Sequence, residues 1–416
     1  MMMKMPSLPK KDVHLYVEKY NRSTQEMLLD FIVEKEFIDF RNHVDYPESK
    51  RNHETTILTK QDYEPTMLFI RGCSPKRKIW RGSMITLDME QLLKLHFQTE
   101  SASYNLNQKP SAVIFCEILN GDEFAALIDA SGSQPVFGSA LSEKYSMPLE
   151  SRSEHSPQTL DELKESFQIQ IWNVGQGNTN CILDEENLTI FDFGASFCYS
   201  RQEIDTILSE HNHILSSFKK ISLMISHWDI DHYNLLCHAS DEFLKCIEYA
   251  FCHPAPIGLT AKQAAKRIRN CPHFTVIVPQ PSKIKKCGIQ KIYEGNRYTL
   301  FTGEKSRNKN KSGLLLSVSN HTSAAFLTAD HSNYQVWDRM YSIVNPKGTL
   351  HLVVPHHGGD CGNSPVQSGH PSGIAAVSVG KNNYRHPRLK TIVSYQNKHY
   401  EVKQTDMENQ DIIIPI

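Results

Sequence analysis

Short apolar runs, each closed by a polar turn, recur along the second half of the chain. FQIQIWNV (167–174), TNCILD (179–184) and LTIFDF (188–193) predict three strands joined through GQGN and EEN turns. ISLMI (221–225) predicts a fully buried strand. LKCIEYAFC (244–252), FTVIVP (274–279), RYTLF (297–301), GLLLSVS (313–319), SAAFLT (323–328), TLHLVVP (349–355) and IAAVSVG (374–380) predict the rest. Between them, 201–217, 231–239, 260–270, 333–343 and 387–397 have the composition of helices. Strands and helices that alternate in this way indicate an α/β domain, whose chemistry sits at the carboxyl ends of strands.

The first half is patterned differently. In TQEMLLDFIVEKEFIDF (24–40), Met27, Leu28, Phe31, Ile32, Phe37 and Ile38 fall at helical spacing and predict one helix. TMLFI (66–70), SMITLDM (83–89) and SAVIFCEIL (111–119) predict strands, and NGDE (120–123) predicts a hairpin turn into FAALIDA. A smaller mixed α+β domain over 1–148 is therefore expected. The polar stretch LESRSEHSPQTLDELKES (149–166) serves as a linker to a second domain over 167–416. The role of residues 1–148 is not legible, because no catalytic motif falls there.

Composition narrows the class. A length of 416 residues exceeds one ordinary domain, and 39% hydrophobic residues suffice for real cores. A formal charge of −1 gives no global attraction to polyanions, so any such binding must come from local basic patches. No stretch reaches the length of a membrane-spanning helix, and the start, MMMKMPSLPKK, lacks the apolar segment of a secretory signal. The 10 cysteines form no CxxC pair and read as reduced thiols. A soluble cytoplasmic protein with no membrane partner is the expectation.

The candidate chemistry lies at 226–232, SHWDIDH, directly after ISLMI. His227, Asp229, Asp231 and His232 crowd two imidazoles and two carboxylates onto one strand end, and a pair of divalent ions is the simplest way to hold them. Asp330 in FLTAD, His356 and His357 in VVPHHGG, and His386 in NNYRHP also follow apolar stretches. Asp231 alone could merely cap the following helix, but the joint pattern points to a two-metal hydrolase.

These motifs carry a resemblance. SHWDIDH is similar to the H-x-H-x-D-H metal motif of the metallo-β-lactamase superfamily, with Asp229 in place of the middle histidine. The set resembles most the hydrolase domain of the ComEC family of DNA-uptake proteins. IWNVGQGNTNCI (171–182) resembles that family's V-G-Q-G-D strand, and IFDFGAS (190–196) its I-D-x-G turn. FLTAD (326–330) resembles L-T-G-D, VPHHGG (354–359) resembles V-P-H-H-G-S, and SVGKNNYRHP (378–387) resembles S-V-G-x-N-x-Y-G-H-P. QTDMENQDIII (404–414) is similar to its closing strand. Asn178 stands where the family has aspartate, Leu235 and Leu236 where it has Gly-Gly, and Arg385 where it has glycine. The resemblance spans the second domain only. It implies an αββα four-layer sandwich, two divalent metal ions (Zn²⁺ or Mn²⁺) and hydrolysis of phosphodiesters.

Roles follow from donor chemistry. His227 and Asp229 would hold one metal and Asp231 with His232 the other, with Asp330 as the bridging carboxylate. His356 or His357 completes the second site, with His356 favoured. His386 is placed to bind the substrate phosphate or protonate the leaving oxygen, and Asp231 and His386 are the expected catalytic groups. Lys381 and Arg385 add positive charge beside them, and Asn382 and Tyr384 either orient His386 and bind substrate or are simple turn residues. A nuclease is the leading expectation. A cyclic nucleotide or dinucleotide phosphodiesterase, and an effector whose first domain binds a protein partner or self-associates, are the alternatives. Basic segments at 75–82 (PKRKIWRG), 259–271, 282–286 and 305–313 are either polyanion contacts or ordinary solvated surface, the commoner case.

Overall fold

The computed structural model describes residues 11–45, 67–95, 97–99, 114–131, 136, 141, 144–152, 156–254, 256–280, 288–306, 309–328, 335–359, 371–380 and 386–416. They fall into two compact units, Met1–Met147 with Pro256–Gln263, and Pro148–Ala255 with Ala264–Ile416.

The first unit is built on one six-stranded sheet. Its first two strands, Asp12–Asn21 and Glu26–Phe31, form an antiparallel hairpin. The single helix expected over 24–40 is therefore wrong in its first half: MLLDF is a strand, and the helix begins at Glu34 and runs to Asp45. Paired on both sides in the sheet, this run is buried on both faces, and an apolar run of that length fits a strand as well as a helix. The hairpin expected at 120–123 is a second correction. FAALIDA lies in the helix Gly121–Ala130. A Cβ on Gly121 would stand 1.9 Å from the Arg71 carbonyl oxygen, so this glycine permits a close backbone approach rather than a hairpin turn. Phe31, Phe37 and Phe40 meet in the core of this unit, which Leu259 joins.

The second unit contains two seven-stranded sheets. In the first sheet the Ile221–Ile225 strand is internal, flanked in parallel by Leu188–Phe193, the central strand, and Ile247–Cys252. The second sheet has Ser323–Thr328, Thr349–Val353 and Ser372–Val377 side by side and parallel. One core fills the space between the sheets. Ile171, Ile182, Phe191, Met224 and Phe251 enter it from the first sheet, and Leu300, Leu314, Leu316, Leu327 and Val353 from the second. Leu315, Phe326 and Leu352 point the other way, onto Val336, Trp337 and Met340 of the helix Gln335–Val344 and Tyr395 of Leu389–Gln396. These strands are apolar on both faces because each face is covered, one by the facing sheet and one by helices. In the first sheet, the helix Ile230–His238 packs against Leu188–Phe193. Within 149–166, Gln158–Asp161 forms a short helix, and Leu160 and Leu163 are buried in the inter-sheet core. Residues 244–246, expected as strand, close the helix Asp241–Cys246 before the strand begins at Ile247. Among the described residues, no helix is long and apolar enough to cross a membrane.

Candidate metal centre

The strand Ile221–Ile225 ends at Ser226, and the chain crosses His227–Asp229 before the helix Ile230–His238 starts. His227, Asp229, Asp231 and His232 are all buried. Turning from strand to helix places four polar side chains in one pocket of backbone, which only mutual pairing or a cation makes tolerable.

His227 and Asp229 pair with each other, Nε2 to Oδ2 at 2.8 Å, and the rings of His227 and His232 lie 4.1 Å apart. Asp231 and His232 converge instead on His357. One ligand atom from each of these three buried residues lies within 4.8 Å of the others, so they could hold a metal ion.

The chemistry of His357 tests the fit. Its Nδ1 donates to the Ser378 carbonyl oxygen at 2.8 Å, and a carbonyl can only accept. In the neutral ring this leaves a lone pair on Nε2, a buried atom with no hydrogen-bond partner. That atom faces Asp231 Oδ2 at 3.4 Å. A lone pair aimed at a carboxylate is repulsive unless a cation lies between them, so the donor set fits a divalent ion.

His232 is oriented from behind. Its Nδ1 donates to Asp192 Oδ2 at 2.7 Å, the carboxylate–imidazole arrangement that fixes a metal ligand's tautomer. Asp192 also accepts from Ser226 N at 2.7 Å and Ser226 Oγ at 2.8 Å. It does so from a left-handed backbone, φ 61°, a strain of roughly 1–3 kcal/mol that the three bonds offset. The next glycine is required. A Cβ on Gly194 would lie 2.2 Å from the Asp231 carbonyl oxygen, so only glycine lets this turn rest against the ligand helix. Asn178 Nδ2 stands 3.2 Å from His232 Nε2, and a half-turn of its amide would exchange donor for acceptor there.

The two histidines of VVPHHGG diverge because both adopt left-handed backbone, φ 54° at His356 and 52° at His357. His357 turns inward to Asp231 and His232. His356, the residue favoured from sequence, instead stands beside His386, ring centroids 5.3 Å apart. Asp330 and the predicted substrate-binding residues Lys381, Asn382, Tyr384 and Arg385 lie outside the described residues.

Two loops close around this centre. Ser378 accepts from His357 through its carbonyl and donates its Oγ–H to the Gly177 carbonyl at 2.6 Å, tying the SVG segment to GQGN. The base of GQGN is held by Asp411, which accepts from Asn173 N at 2.8 Å, Gln170 Nε2 at 2.6 Å and His211 Nε2 at 2.9 Å. His211 stacks on Trp172 at 3.8 Å and donates its Nδ1–H to the Ile207 carbonyl. Burial alone would depress the His211 pKa. The Asp411 hydrogen bond and charge, with the Ile207 carbonyl, outweigh it and raise it above the usual imidazole value. Burial works against the Asp411 carboxylate too, but His211, Asn173 and Gln170 hold its pKa below the usual range.

Asp192, Ser378 and the His211–Asp411 pair are absent from the set predicted by sequence. Asp192 carried a signal: a carboxylate ending the otherwise apolar run LTIFDF must find buried partners. The other groups act through a backbone carbonyl and a contact spanning 200 residues, which local spacing does not encode.

Two sheets around one core, helices on their outer faces and candidate ligands in the loops after strands define the architecture. The second unit is an αββα four-layer sandwich, the architecture expected from sequence. Solved structures similar to the chain include the metallo-β-lactamase fold protein YhfI from Bacillus subtilis, 12% identical, matching 60% of this chain and 100% of that one with a TM-score of 0.35. Tm1679, a metal-dependent hydrolase of the β-lactamase superfamily, is 11% identical over 60% of this chain and 98% of its own, with a TM-score of 0.33. A long form RNase Z from yeast is 11% identical over 96% of this chain and 57% of its own, with a TM-score of 0.25. No protein-family model and no curated protein matches the chain.

Proposed function

We propose that the chain is a metal-dependent hydrolase of phosphodiester bonds, acting on nucleic acid. One observation carries the reading: the bare His357 Nε2 and the Asp231 carboxylate, both buried, face each other across a gap shared with His232. Asp231, His232 and His357 would hold one ion. His227 and Asp229 would hold a second, once their mutual hydrogen bond opens, and Asp330 would supply a further carboxylate. Divalent cations bound there supply Lewis acidity, offsetting phosphodiester charge and activating water.

The protein's own groups do the rest. Asp192 keeps His232 in the tautomer whose Nε2 carries a lone pair. The Ser378 carbonyl does the same for His357. His386, beside His356, is the proposed proton donor to the leaving oxygen, with Lys381 and Arg385 as phosphate contacts and Asn382 and Tyr384 orienting His386. The phosphodiester class is supported by the motif order GQGN, SHWDIDH, FLTAD, VPHHGG and NNYRHP, and by a carboxylate-rich donor set that admits Mn²⁺ as readily as Zn²⁺.

The test is turnover of single- and double-stranded DNA, RNA and cyclic dinucleotides by the purified full chain with Mn²⁺ or Zn²⁺, beside Asp231→Ala. Cleavage of a polynucleotide that Asp231→Ala abolishes is the expected result. Turnover of the cyclic dinucleotide alone would move the substrate to small phosphodiesters, and no metal-dependent turnover would overturn the reading.

A further inference from the structure

The chain has four tryptophans, and three of them, Trp172, Trp228 and Trp337, are buried. Trp80 is not: 51% of it is exposed, although its neighbour Ile79 is fully buried in the core of the first unit. The loop that carries it is firmly built. The backbone amides of Lys76 and Arg77 donate to the two Asp129 carboxylate oxygens at 3.0 and 3.1 Å. Trp80 N donates to Ser83 Oγ at 3.1 Å, Ser83 N donates back to the Trp80 carbonyl at 3.1 Å, and Gly82 N donates to the Val17 carbonyl at 2.8 Å. Gly82 takes φ 81°, which few side chains tolerate, to make the turn. The indole therefore stands outward on an ordered loop rather than on a loose one.

The charges on its own loop have one sign. PKRKIWRG places Lys76, Arg77, Lys78 and Arg81 on the same loop with no carboxylate among them. The Arg22 guanidinium lies over the indole, 4.9 Å from its centroid, and also reaches the Ile79 carbonyl. Lys76, Lys78 and Arg22 are exposed. Asp129 lies beside the loop, and its two oxygens are engaged by the loop's amides. An exposed aromatic face among cations, in a protein of near-neutral net charge, matches a ligand that offers unstacked bases beside phosphates. Duplex DNA offers the phosphates but keeps its bases stacked.

We infer that the loop 75–82, with Arg22, is a binding surface for single-stranded nucleic acid, in which a base stacks on Trp80 and phosphates meet Lys76 and Lys78. The inference rests on the nuclease reading only for the polymer class, and it is tested by binding, without turnover. Full chain in metal-free buffer is titrated with a short fluorescein-labelled oligothymidylate, followed by anisotropy and by tryptophan fluorescence. Because the other three indoles are buried, stacking quenches Trp80 selectively. Trp80→Ala is expected to weaken binding by about tenfold or more and to abolish the quench, while Trp80→Phe keeps most of the affinity. Lys76→Ala with Lys78→Ala is expected to flatten the slope of log affinity against log salt by about 1.4, the value for two phosphates on a single strand. An affinity unchanged in Trp80→Ala, no binding by the wild type, or binding to phosphatidylserine vesicles in place of the strand overturns the inference. Strand binding without metal-dependent cleavage in the turnover assay would overturn the nuclease reading and leave this surface standing.

Discussion

Two histidine–carboxylate pairs in the second unit, each with a buried imidazole, share a chemistry and differ in where the second ring nitrogen goes. At His211, Nε2 donates to Asp411 and Nδ1 to the Ile207 carbonyl, so both nitrogens are engaged by acceptors and the imidazolium is closed off. At His232, Nδ1 donates to Asp192, and the ring also lies among Asp231, His357 and Asn178. The first arrangement stores a proton and holds structure. The second leaves the other nitrogen among residues that could hold a metal ion. A buried histidine beside a carboxylate is thus not diagnostic of a site; the partner of its other nitrogen is.

Mutations that remove one member of each arrangement should separate the two roles. The largest effect is expected at the candidate ligands. Asp231→Ala should lower turnover by more than about a thousandfold, as for a group that acts as part of a unit, with a cooperative thermal melt retained. Loss of the melt would mean that Asp231 serves the fold. Asp192→Asn should cost about 10–100-fold in metal affinity or activity, because His232 loses the acceptor that sets its tautomer. Wild-type metal affinity in that variant would reduce Asp192 to a support for Ser226.

On the other side, Asp411→Asn should cost about 2–3 kcal/mol of stability, the scale of charged hydrogen bonds, measured by denaturant unfolding. Metal affinity should change little. A loss of metal affinity as large as that of Asp192→Asn would erase the distinction between the pairs.

The smallest effect is in pH dependence. The raised pKa of His211 means that its stabilisation is fully present below the unfolded value of about 6.5 and is lost as pH rises through the folded value. The lowered pKa of Asp411 makes its contribution present above about pH 3.9 and lost as pH falls through its folded value. Wild-type stability should therefore decline relative to His211→Gln as pH climbs above about 6.5, with Trp172 fluorescence reporting the stacked ring's proton. Parallel stability curves for the two proteins would contradict this.

Much of the second unit was legible because its strands are apolar on both faces and end abruptly in polar residues. SHWDIDH reads as a site since four donors on one strand end have no bland joint explanation. The choice between His356 and His357 was not legible. It turns on two consecutive left-handed residues, and backbone sign is not written in an HH pair. MLLDF misled because periodicity cannot tell a short buried strand from a helix turn, and only its pairing with Asp12–Asn21 decides. The turn signal of Asn120–Gly121 was real, but the glycine answers to the Arg71 carbonyl and not to a hairpin.

The central claim is that Asp231, His232 and His357 share a cation. Calorimetric titration of Mn²⁺ or Zn²⁺ into the metal-stripped full chain tests it most directly, with Asp231→Ala and His357→Ala alongside. The account predicts saturable binding by the wild type, abolished in Asp231→Ala and His357→Ala and largely preserved in His356→Ala. A wild type that binds neither ion, or variants at Asp231 and His357 that bind as it does, would contradict it.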